Sequence, residues 1–457
     1  MSRRKKGPRP PVPLFIDRLE QGWPSGLAPS GKRLTVRAGG VGATLEVRPS
    51  SSGEARRLST LTPAPDAVEP ACPLFGACGG CQLQEMPLQA QRQAKGEWVS
   101  RTVGAPCDGV TGAEQGYGYR NKLELSFGAR RFVTDAERDA GAPEGEPGSF
   151  LGFHPPGFFG RIIPVQACPL GSEAMNRLLG VLHEAHLAPS WDSREHTGTW
   201  RHVVLREDDE GVLVTLVTST AASRDELQPL VDSLVAAGAA GVLWIAHDRV
   251  AEVATGELRE VLAGRAELHQ RLGAARLSLP HDAFFQVNSR GAEVLLQVVG
   301  DALFGPGGAG RGGTLLDLYC GVGALGLGLA ARLGGARIVG VELHEGAILT
   351  ARANADALGV PGTWVAGPVE DVLPTLSWEG PTLAVVDPPR AGLHPRAARF
   401  LADLQADVLV YVACNPASLA RDRAVLEAGG WRLESLCAVD LFPQTRHVEA
   451  VARLVRA

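Results

Sequence analysis

Apolar residues alternate with polar ones over short runs in the first part of the chain, and glycine and proline separate the runs. PLFIDRL and GKRLTVRAGGVGATLEVR are the clearest examples within residues 11–48. Alternation at this length predicts β strands, and the frequent turn residues favour a small β barrel. Residues 50–70 predict an edge segment followed by a linker. We therefore expect a barrel over residues 11–66, after a basic tail at residues 1–10.

The pattern changes after the linker. Residues 82–103 are rich in helix-forming residues and predict a helix directly after a cysteine-rich loop. Strand-length runs follow, with one helical interval near residues 171–186. The runs are KLELSF, FLGFHPP, RIIPVQ, WRHVVLRE, GVLVTLVTS and GVLWIAHD. They predict a central domain over residues 67–285 that is mostly antiparallel sheet.

Strands and helices alternate from residue 286 to the end of the chain. The predicted strands are TLLDLYC, ARIVGVEL, PTLAVVD and VLVYVAC. The predicted helices cover residues 289–303, the segment after Gly323, residues 344–358 and residues 395–404. This alternation predicts a doubly wound, Rossmann-like parallel sheet over residues 286–457. The whole chain is thus predicted to be a multidomain α/β protein.

Four chemically capable side chains fall at or just past the ends of these predicted strands. They are Asp317, Glu342, Asp387 and Cys414. Ligands of open α/β sheets bind at the carboxyl ends of the strands. We therefore expect the functional site at this edge of the sheet.

The stretch LLDLYCGVGALGLGLA contains the glycine pattern Gly321-x-Gly323-x-x-Gly326. This pattern suits S-adenosylmethionine and a nicotinamide dinucleotide equally, because both need a tight strand-to-helix turn. An acid at the position of Glu342 can accept hydrogen bonds from a ribose in either case. The glycines alone leave the cofactor open.

The phrases VVDPPRAGLH and YVACNPASLARD distinguish the two cofactors. A dehydrogenase has no use for Cys414 followed by Asn-Pro at a strand end. Methylation of a pyrimidine at C5 needs such a thiolate, because its addition to C6 makes C5 nucleophilic. A base must then remove the C5 proton. The alternative reading of Cys414 is a buried core thiol, but Asn-Pro after a strand indicates a shaped loop.

A second group of cysteines lies upstream. Cys72, Cys78 and Cys81 lie within one glycine-rich stretch of ten residues, and Cys168 follows in the same predicted domain. Four thiolates can hold a structural zinc ion or an iron-sulfur cluster, and the spacing leaves both open. Four unrelated buried cysteines are the remaining alternative, although such a loop offers them little packing. Cys107 and Cys437 are expected to be ordinary thiols.

Composition adds limits on partners and location. The net charge of −5 over 457 residues gives no global basic field, so a nucleic acid would need a local patch. Four cations fit phosphate contacts and ordinary surface charges equally well: Arg120, Lys122, Arg201 and Arg206. The sequence has no apolar run of membrane-spanning length and no apolar segment after its basic start. We expect a cytoplasmic protein without membrane contact.

Several motifs together resemble a known family. FFQVN (284–288), DLYCGVG, DPPRAG, CNPASLARD and DLFPQTRHVE (440–449) are similar to the motifs of RNA uracil-C5 methyltransferases of the TrmA/RumA type. Upstream, the cysteine pattern, YRNK, LGFH and WRHVVLR are similar to the branch that acts on 23S ribosomal RNA. The resemblance covers nearly the whole chain.

The resemblance implies a function and a set of site residues. It implies methyl transfer from S-adenosylmethionine to a uracil C5 of 23S rRNA by a monomer that binds RNA and not DNA. It also implies an N-terminal TRAM domain, which is a barrel of the oligonucleotide-binding type. Cys414 is the implied nucleophile and Glu449 the implied base. The implied cofactor residues are Gln286, Tyr319, Gly321, Gly323, Glu342 and Asp387. The implied ligands of a 4Fe-4S cluster, in place of zinc, are Cys72, Cys78, Cys81 and Cys168.

Two departures from the family pattern and three alternatives remain. Ala324 and Gly367-Pro368 replace side chains that often bond the cofactor, so we expect weaker cofactor binding, by about 0.5–1.5 kcal/mol for each bond. The first alternative is a uracil-C5 methyltransferase of the tRNA T-loop. The second is an adenine amino-methyltransferase of the DPPR type, which needs no thiol. The third is an inactive RNA-binding assembly factor.

Overall fold

The computed structural model describes residues 9–143, 145–308, 310 and 312–457. Most of the predicted basic tail, residues 1–8, lies outside the described residues. The described chain forms two large sheets, a smaller N-terminal sheet and a two-stranded hairpin.

The N-terminal module is a six-stranded sheet. Its strands are β1 (Val12–Phe15), β2 (Arg18–Glu20), β3 (Trp23–Leu27), β4 (Arg33–Val36), β5 (Thr44–Pro49) and β6 (Glu54–Thr62). They pair in the order β1-β5-β6-β4-β3-β2 around a small core that includes Leu14 and Leu45. A Cβ at Gly26 of β3 would lie 1.9 Å from the Phe15 carbonyl oxygen, so glycine permits this close strand contact. The strands predicted over residues 11–48 are present.

The next part of the described chain contains four helices and eight strands, and seven of these strands form the central sheet. The elements in order are α1 (Leu88–Val103), β7 (Val110–Thr111), β8 (Lys122–Arg130), α2 (Asp135–Asp139), β9 (Pro147–Phe153), β10 (Ile163–Pro164), α3 (Glu173–Glu184), β11 (Trp200–Asp208), β12 (Gly211–Thr218), α4 (Arg224–Ala236), β13 (Ala239–Ala246) and β14 (Leu258–Gly264). The sheet order is β10-β9-β8-β11-β12-β13-β14, and only β12 and β13 pair in parallel. The predicted antiparallel character is therefore present.

A hairpin and the C-terminal sheet complete the fold. These elements are β15 (Glu267–Leu272), β16 (Ala275–Pro280), α5 (Ser289–Phe304), β17 (Thr314–Leu318), α6 (Ala324–Gly328), β18 (Arg337–Glu342), α7 (Glu345–Leu358), β19 (Gly362–Ala366), α8 (Val369–Val372), β20 (Thr382–Val386), α9 (Pro395–Asp403), β21 (Val408–Ala413), α10 (Pro416–Ala428), β22 (Trp431–Val439) and β23 (Glu449–Arg456). The order is β19-β18-β17-β20-β21-β23-β22-β7.

The C-terminal sheet is covered on both faces, as the alternation of strands and helices predicts. One core packs residues of α5, α6 and α7 against the sheet, and the other packs α1, α9 and α10. The strands from β19 to β21 are parallel, whereas β23 runs antiparallel to β21. The carboxyl ends of the parallel strands therefore meet the start of β23 at one edge.

The first predicted helix is shorter than expected. It begins at Leu88 and not at residue 82, because the backbone N–H groups of Gln82 and Leu83 donate to the Gln444 carbonyl at 2.9 and 3.0 Å. Pro87 precedes the helix in an extended conformation. The helix α1 packs on the C-terminal sheet, and β7 extends that sheet beside β22.

In the part of the chain that the structure describes, no helix combines the length and apolar character that a bilayer crossing requires.

Candidate active site and cysteine cavity

The turn after β17 adopts a left-handed backbone at three positions. Tyr319, Gly321 and Gly323 have φ values of +62°, +54° and +78°. A Cβ at Gly323 would lie 3.0 Å from the Trp364 ring, so glycine is needed for both conformation and space. The turn brings backbone to the edge where a nucleoside can bind.

Asp317 holds this turn from beneath. Its Oδ2 accepts a hydrogen bond from the Gly326 backbone N–H at 2.9 Å, and a Cβ at Gly326 would lie 2.7 Å from that oxygen. Burial, opposed by the Gly326 bond and assisted by nearby Glu342, raises the pKa of Asp317 to about 7. Asp317 therefore shapes the turn and places a buried titratable group behind it.

Glu342 ends β18 and is fixed by two backbone groups. Its carboxylate accepts from the Gly321 N–H at 3.2 Å and the His344 N–H at 3.0 Å. A carboxylate can accept about four hydrogen bonds, so acceptor capacity remains for a ligand hydroxyl. This geometry fits the role in ribose binding that the sequence predicts for Glu342.

Cys414 lies opposite Glu449 across two antiparallel strands. Ala413, the last residue of β21, pairs with Ala450 of β23. Cys414, which follows Ala413, therefore lies beside Glu449, which precedes Ala450. Glu449 is only 4% exposed, whereas Cys414 is half-buried. Asp387 follows β20, which is the neighbouring strand of β21. The sheet thus brings a thiol and two carboxyl groups together at one edge.

Burial raises the pKa values of all three groups. Burial, followed by Glu449 and Asp387, raises the pKa of Cys414 to about 11. Burial and then Asp317 raise the pKa of Asp387 to about 7. Burial and then Asp387 raise the pKa of Glu449 well above its usual range. The ligand-free site thus favours neutral groups, and a bound cation would favour their ionised forms.

Tyr319 lies on the turn after β17, and Gln286 lies on the FFQVN segment. Burial raises the pKa of Tyr319 to about 12, so its phenol stays protonated and can donate a hydrogen bond. The Gln286 carbonyl accepts from Asn121 Nδ2 at 3.0 Å. Asn288 caps α5 and donates to the Leu441 carbonyl at 2.8 Å. The FFQVN segment is thereby anchored to the loop that precedes Glu449.

The loop over residues 440–448 is held by α1, which sequence reasoning did not connect to the site. Lys95 and Asp440 are both fully buried and lie 2.5 Å apart. Gln91 exchanges hydrogen bonds with Gln444, at 2.9 Å between their side chains and 2.8 Å to the Gln444 backbone N–H. These contacts fix the approach of the chain to Glu449.

Gln82 joins this same loop to the cysteine-rich loop. Its Nε2 donates to the Gly79 carbonyl at 2.8 Å, and its Oε1 accepts from the Arg446 backbone N–H at 3.0 Å. Gln82 is buried. The two loops are therefore directly connected through one side chain.

Asp422 is a further structural residue that the sequence analysis did not single out, although it ends the motif CNPASLARD. It accepts hydrogen bonds from the Tyr411 hydroxyl and the Leu393 N–H, both at 2.7 Å. A Cβ at Gly392 would lie 2.5 Å from its Oδ2. Asp422 thus holds the DPPRAG loop against α10 and β21.

A cavity of about 620 Å³ lies between the cysteine-rich loop and the central sheet. Its lining includes all four predicted ligands: Cys72, Cys78, Cys81 and Cys168. Burial raises the pKa of Cys78 to about 11 and that of Cys81 to about 12, and Cys168 adds to both shifts. Among the residues that the structure describes, no three metal-binding side chains converge closely enough to hold a single ion.

Two of the four candidate phosphate contacts are wrong. Arg201 is fully buried, stacks on Trp191 at 3.9 Å and donates to the Arg249 carbonyl at 2.7 Å. Arg206 is also buried and donates to two backbone carbonyls, of His281 and Ala283. Both guanidinium groups bind backbone inside the protein, so neither is a surface cation.

The remaining candidates lie at the surface or beside the cavity. Lys122 pairs with Glu124 at 3.1 Å. Arg120 lines the cysteine cavity, and its Nε donates to the Lys122 carbonyl at 2.9 Å.

A glycine turn, a fixed acid on the next strand and a thiol beside acids at the same sheet edge define a class of α/β transferase domains built around a nucleoside cofactor. The family model described as tRNA (Uracil-5-)-methyltransferase matches residues 378–457. An uncharacterized RNA methyltransferase of Chlorobaculum tepidum is 35% identical, over 88% of this chain and 86% of that protein.

Two similar proteins with a named activity come from Pyrococcus. The tRNA (uracil(54)-C(5))-methyltransferase of Pyrococcus horikoshii is 31% identical, over 88% of this chain and 89% of its own. The crystal structure of Pyrococcus abyssi tRNA (uracil-54, C5)-methyltransferase with S-adenosyl-L-homocysteine superposes with a TM-score of 0.76 at 26% identity, covering 97% of this chain and all of that one. The chain belongs to the RNA uracil-C5 methyltransferase family and is an S-adenosylmethionine-dependent enzyme of that activity.

Proposed function

We propose that Cys414 and Glu449 carry out the chemistry. The Cys414 thiolate adds to C6 of the uracil, and the electrons displaced onto C5 and O4 make C5 nucleophilic. S-adenosylmethionine would supply the methyl group from its sulfonium sulfur to C5 and would leave as S-adenosylhomocysteine, whose sulfur is neutral. Glu449 then takes the C5 proton, the C5–C6 double bond forms again, and the Cys414 sulfur leaves. The supporting observation is the register that sets Cys414 beside Glu449.

We also propose a set of residues that bind the cofactor. They are Gln286, Tyr319, Gly321, Gly323, Glu342 and Asp387. Support comes from the left-handed turn and from the fixed Glu342 carboxylate with its free acceptor capacity. Asp387 lies between the turn and Cys414, where its carboxylate can face a cationic sulfur.

The cysteine cavity is proposed to hold an iron-sulfur cluster. Cys72, Cys78, Cys81 and Cys168 supply four thiols, and the cavity of about 620 Å³ offers more room than one zinc ion needs. Bound to the metal, the thiols would be thiolates, even though burial raises the pKa values of Cys72, Cys78 and Cys81. Iron and sulfide analysis of the purified protein tests this assignment. The N-terminal sheet is proposed to be a TRAM domain.

Two acceptor RNAs are candidates. The cysteine pattern with YRNK, LGFH and WRHVVLR favours 23S rRNA. The names of the two Pyrococcus relatives favour position 54 of tRNA. The Pyrococcus abyssi enzyme matches this chain over its full length, so domain content does not separate the two RNAs.

Incubation of the protein with S-adenosylmethionine and either transcript, followed by mass mapping of methyluridine, tests the function. We expect one RNA to gain 5-methyluridine and Cys414→Ala to abolish the gain. Cys437→Ala is the matched control, because this thiol lies on β22 and contacts the Val451 carbonyl. Methyladenosine formation that survives Cys414→Ala would support the amino-methyltransferase alternative, and RNA binding without methylation would support the assembly-factor alternative.

A further inference from the structure

Three arginines act electrostatically on the loop that leads to Glu449. Among the described residues, Arg120, Arg390 and Arg446 form no ion pair with a carboxylate. Neighbouring arginines do form such pairs: Arg92 lies 3.7 Å from Asp440, and Arg421 lies 2.7 Å from Asp422.

Each of the three arginines belongs to a different part of the molecule. Arg390 is exposed in the DPPRAG loop and acts electrostatically on Cys414 and Glu449. Arg446 stacks on Trp23 of the N-terminal sheet at 4.3 Å and donates to the Gln21 carbonyl at 3.3 Å.

Arg120, the third of these arginines, lies at the cysteine cavity. It lines the cavity and acts on the Cys78 thiol. Its neighbour Tyr119 donates a hydrogen bond to the Pro443 carbonyl at 2.9 Å, so Arg120 is tied to the same loop that carries Arg446.

All three arginines act electrostatically on His447. Burial, followed by Arg446, Arg390, Lys95 and Arg120, lowers the pKa of His447 to about 4. The imidazole is therefore neutral at physiological pH. Lys95 is compensated by its buried partner Asp440. The remaining positive charge at this place belongs to the three arginines, which we call the arginine arc (Arg120, Arg390 and Arg446).

We propose that the arginine arc binds successive phosphates of single-stranded RNA and leads the strand from the cysteine cavity, past Trp23, to the uracil at Cys414. The proposal rests on the proposed function of Cys414. A guanidinium presents planar donors that match phosphate oxygens, and stacking on Trp23 fixes the guanidinium plane of Arg446. The arc ends at the thiol that attacks a uracil, which favours RNA over an acidic peptide as the polyanion.

The arc makes a quantitative prediction for salt dependence. Each phosphate contact on a single strand contributes a slope of about −0.7 to the plot of log affinity against log salt. We therefore expect Arg120→Gln and Arg446→Gln each to reduce the slope by about 0.7. Each should also raise the Kd for RNA about five- to tenfold at low salt, since one charged contact is lost.

The experiment uses the full-length protein and the transcript that the wild type methylates, with S-adenosylhomocysteine present to prevent turnover. RNA Kd is measured at several salt concentrations for the wild type, Arg120→Gln and Arg446→Gln. Arg177→Gln is the matched control, because Arg177 is exposed on α3 and its Nε donates to the Ala237 carbonyl. Arg446→Lys keeps the charge and should keep most of the slope, which separates charge from folding.

The outcomes separate the arc from the proposed function. Wild-type methylation together with unchanged Kd and slope in both Gln variants would overturn the arc alone. An equal loss in Arg177→Gln would also overturn it, as would tighter binding of polyglutamate than of RNA. Failure of the wild type to methylate either transcript would instead overturn the proposed function.

Discussion

At the scale of single residues, the site is defined by acidic groups whose pKa values are raised by burial. Asp387, Cys414 and Glu449 lie at one edge of the sheet, and each loses hydration there. A carboxylate or thiolate is costly in such surroundings unless a cation lies beside it. The sulfonium of S-adenosylmethionine is such a cation. Cofactor binding is thus expected to favour the ionised forms that the chemistry needs.

The pH dependence of cofactor binding tests this coupling. The pKa of Asp387 is raised to about 7 in the free protein, so the carboxylate that attracts the sulfonium forms as pH rises through 7. We expect affinity for S-adenosylmethionine, measured by calorimetry, to rise about tenfold from pH 6 to pH 8. S-adenosylhomocysteine has a neutral sulfur and should change less. A flat profile for both ligands would contradict the coupling, and Asp387→Asn should remove the larger part of it.

The strand-end positions of Asp387 and Cys414 were predictable from the sequence, because each follows an apolar run and precedes proline or Asn-Pro. The pairing of Cys414 with Glu449 was not derivable from pattern. It depends on the register of β21 with β23, two strands about 35 residues apart in the chain, and only the family resemblance pointed to it. The burial of Arg201 and Arg206 could not be predicted from the sequence either, because their hydrogen-bond partners are backbone carbonyls about 50 and 75 residues away in the chain.

At the scale of elements, α1 and the loop over residues 440–448 act as one unit. The sequence predicts α1 from its helix-forming residues but places its start six residues too early. The backbone N–H groups of Gln82 and Leu83 donate to the Gln444 carbonyl, so these two residues do not join the helix. The buried pair of Lys95 and Asp440 holds the unit together. An ion pair of this kind specifies position more than it adds stability.

Removal of one partner should therefore be costly. Lys95→Met leaves Asp440 buried without its main counter-charge and should lower the free energy of unfolding in urea by about 3–5 kcal/mol. The double variant Lys95→Met with Asp440→Leu should recover much of this loss. Arg423→Met is the control, because its pair with Glu427 on α10 is partly exposed and should contribute about 0.5 kcal/mol or less. Equal losses in the Lys95 and Arg423 variants would contradict this role of the buried pair.

At the scale of the whole molecule, three separated stretches meet around Glu449. Trp23 of the N-terminal sheet stacks against Arg446, and Gln82, next to the cysteine-rich loop, accepts a hydrogen bond from the Arg446 backbone N–H. Glu449 itself lies on β23 of the C-terminal sheet. The order of the modules and the α/β class followed from periodicity and turn residues. The contacts that bring the modules together could not be predicted in this way, because they join residues more than 300 positions apart in the chain.

The covalent intermediate tests the central claim most directly. Glu449→Gln protein is incubated with S-adenosylmethionine and the acceptor RNA, digested, and analysed by mass spectrometry. Because Gln cannot take the C5 proton, a methylated nucleotide should remain attached to the peptide that contains Cys414, while Glu434→Gln on β22 should turn over normally. Full turnover by Glu449→Gln, or an adduct on any other residue, would contradict the mechanism.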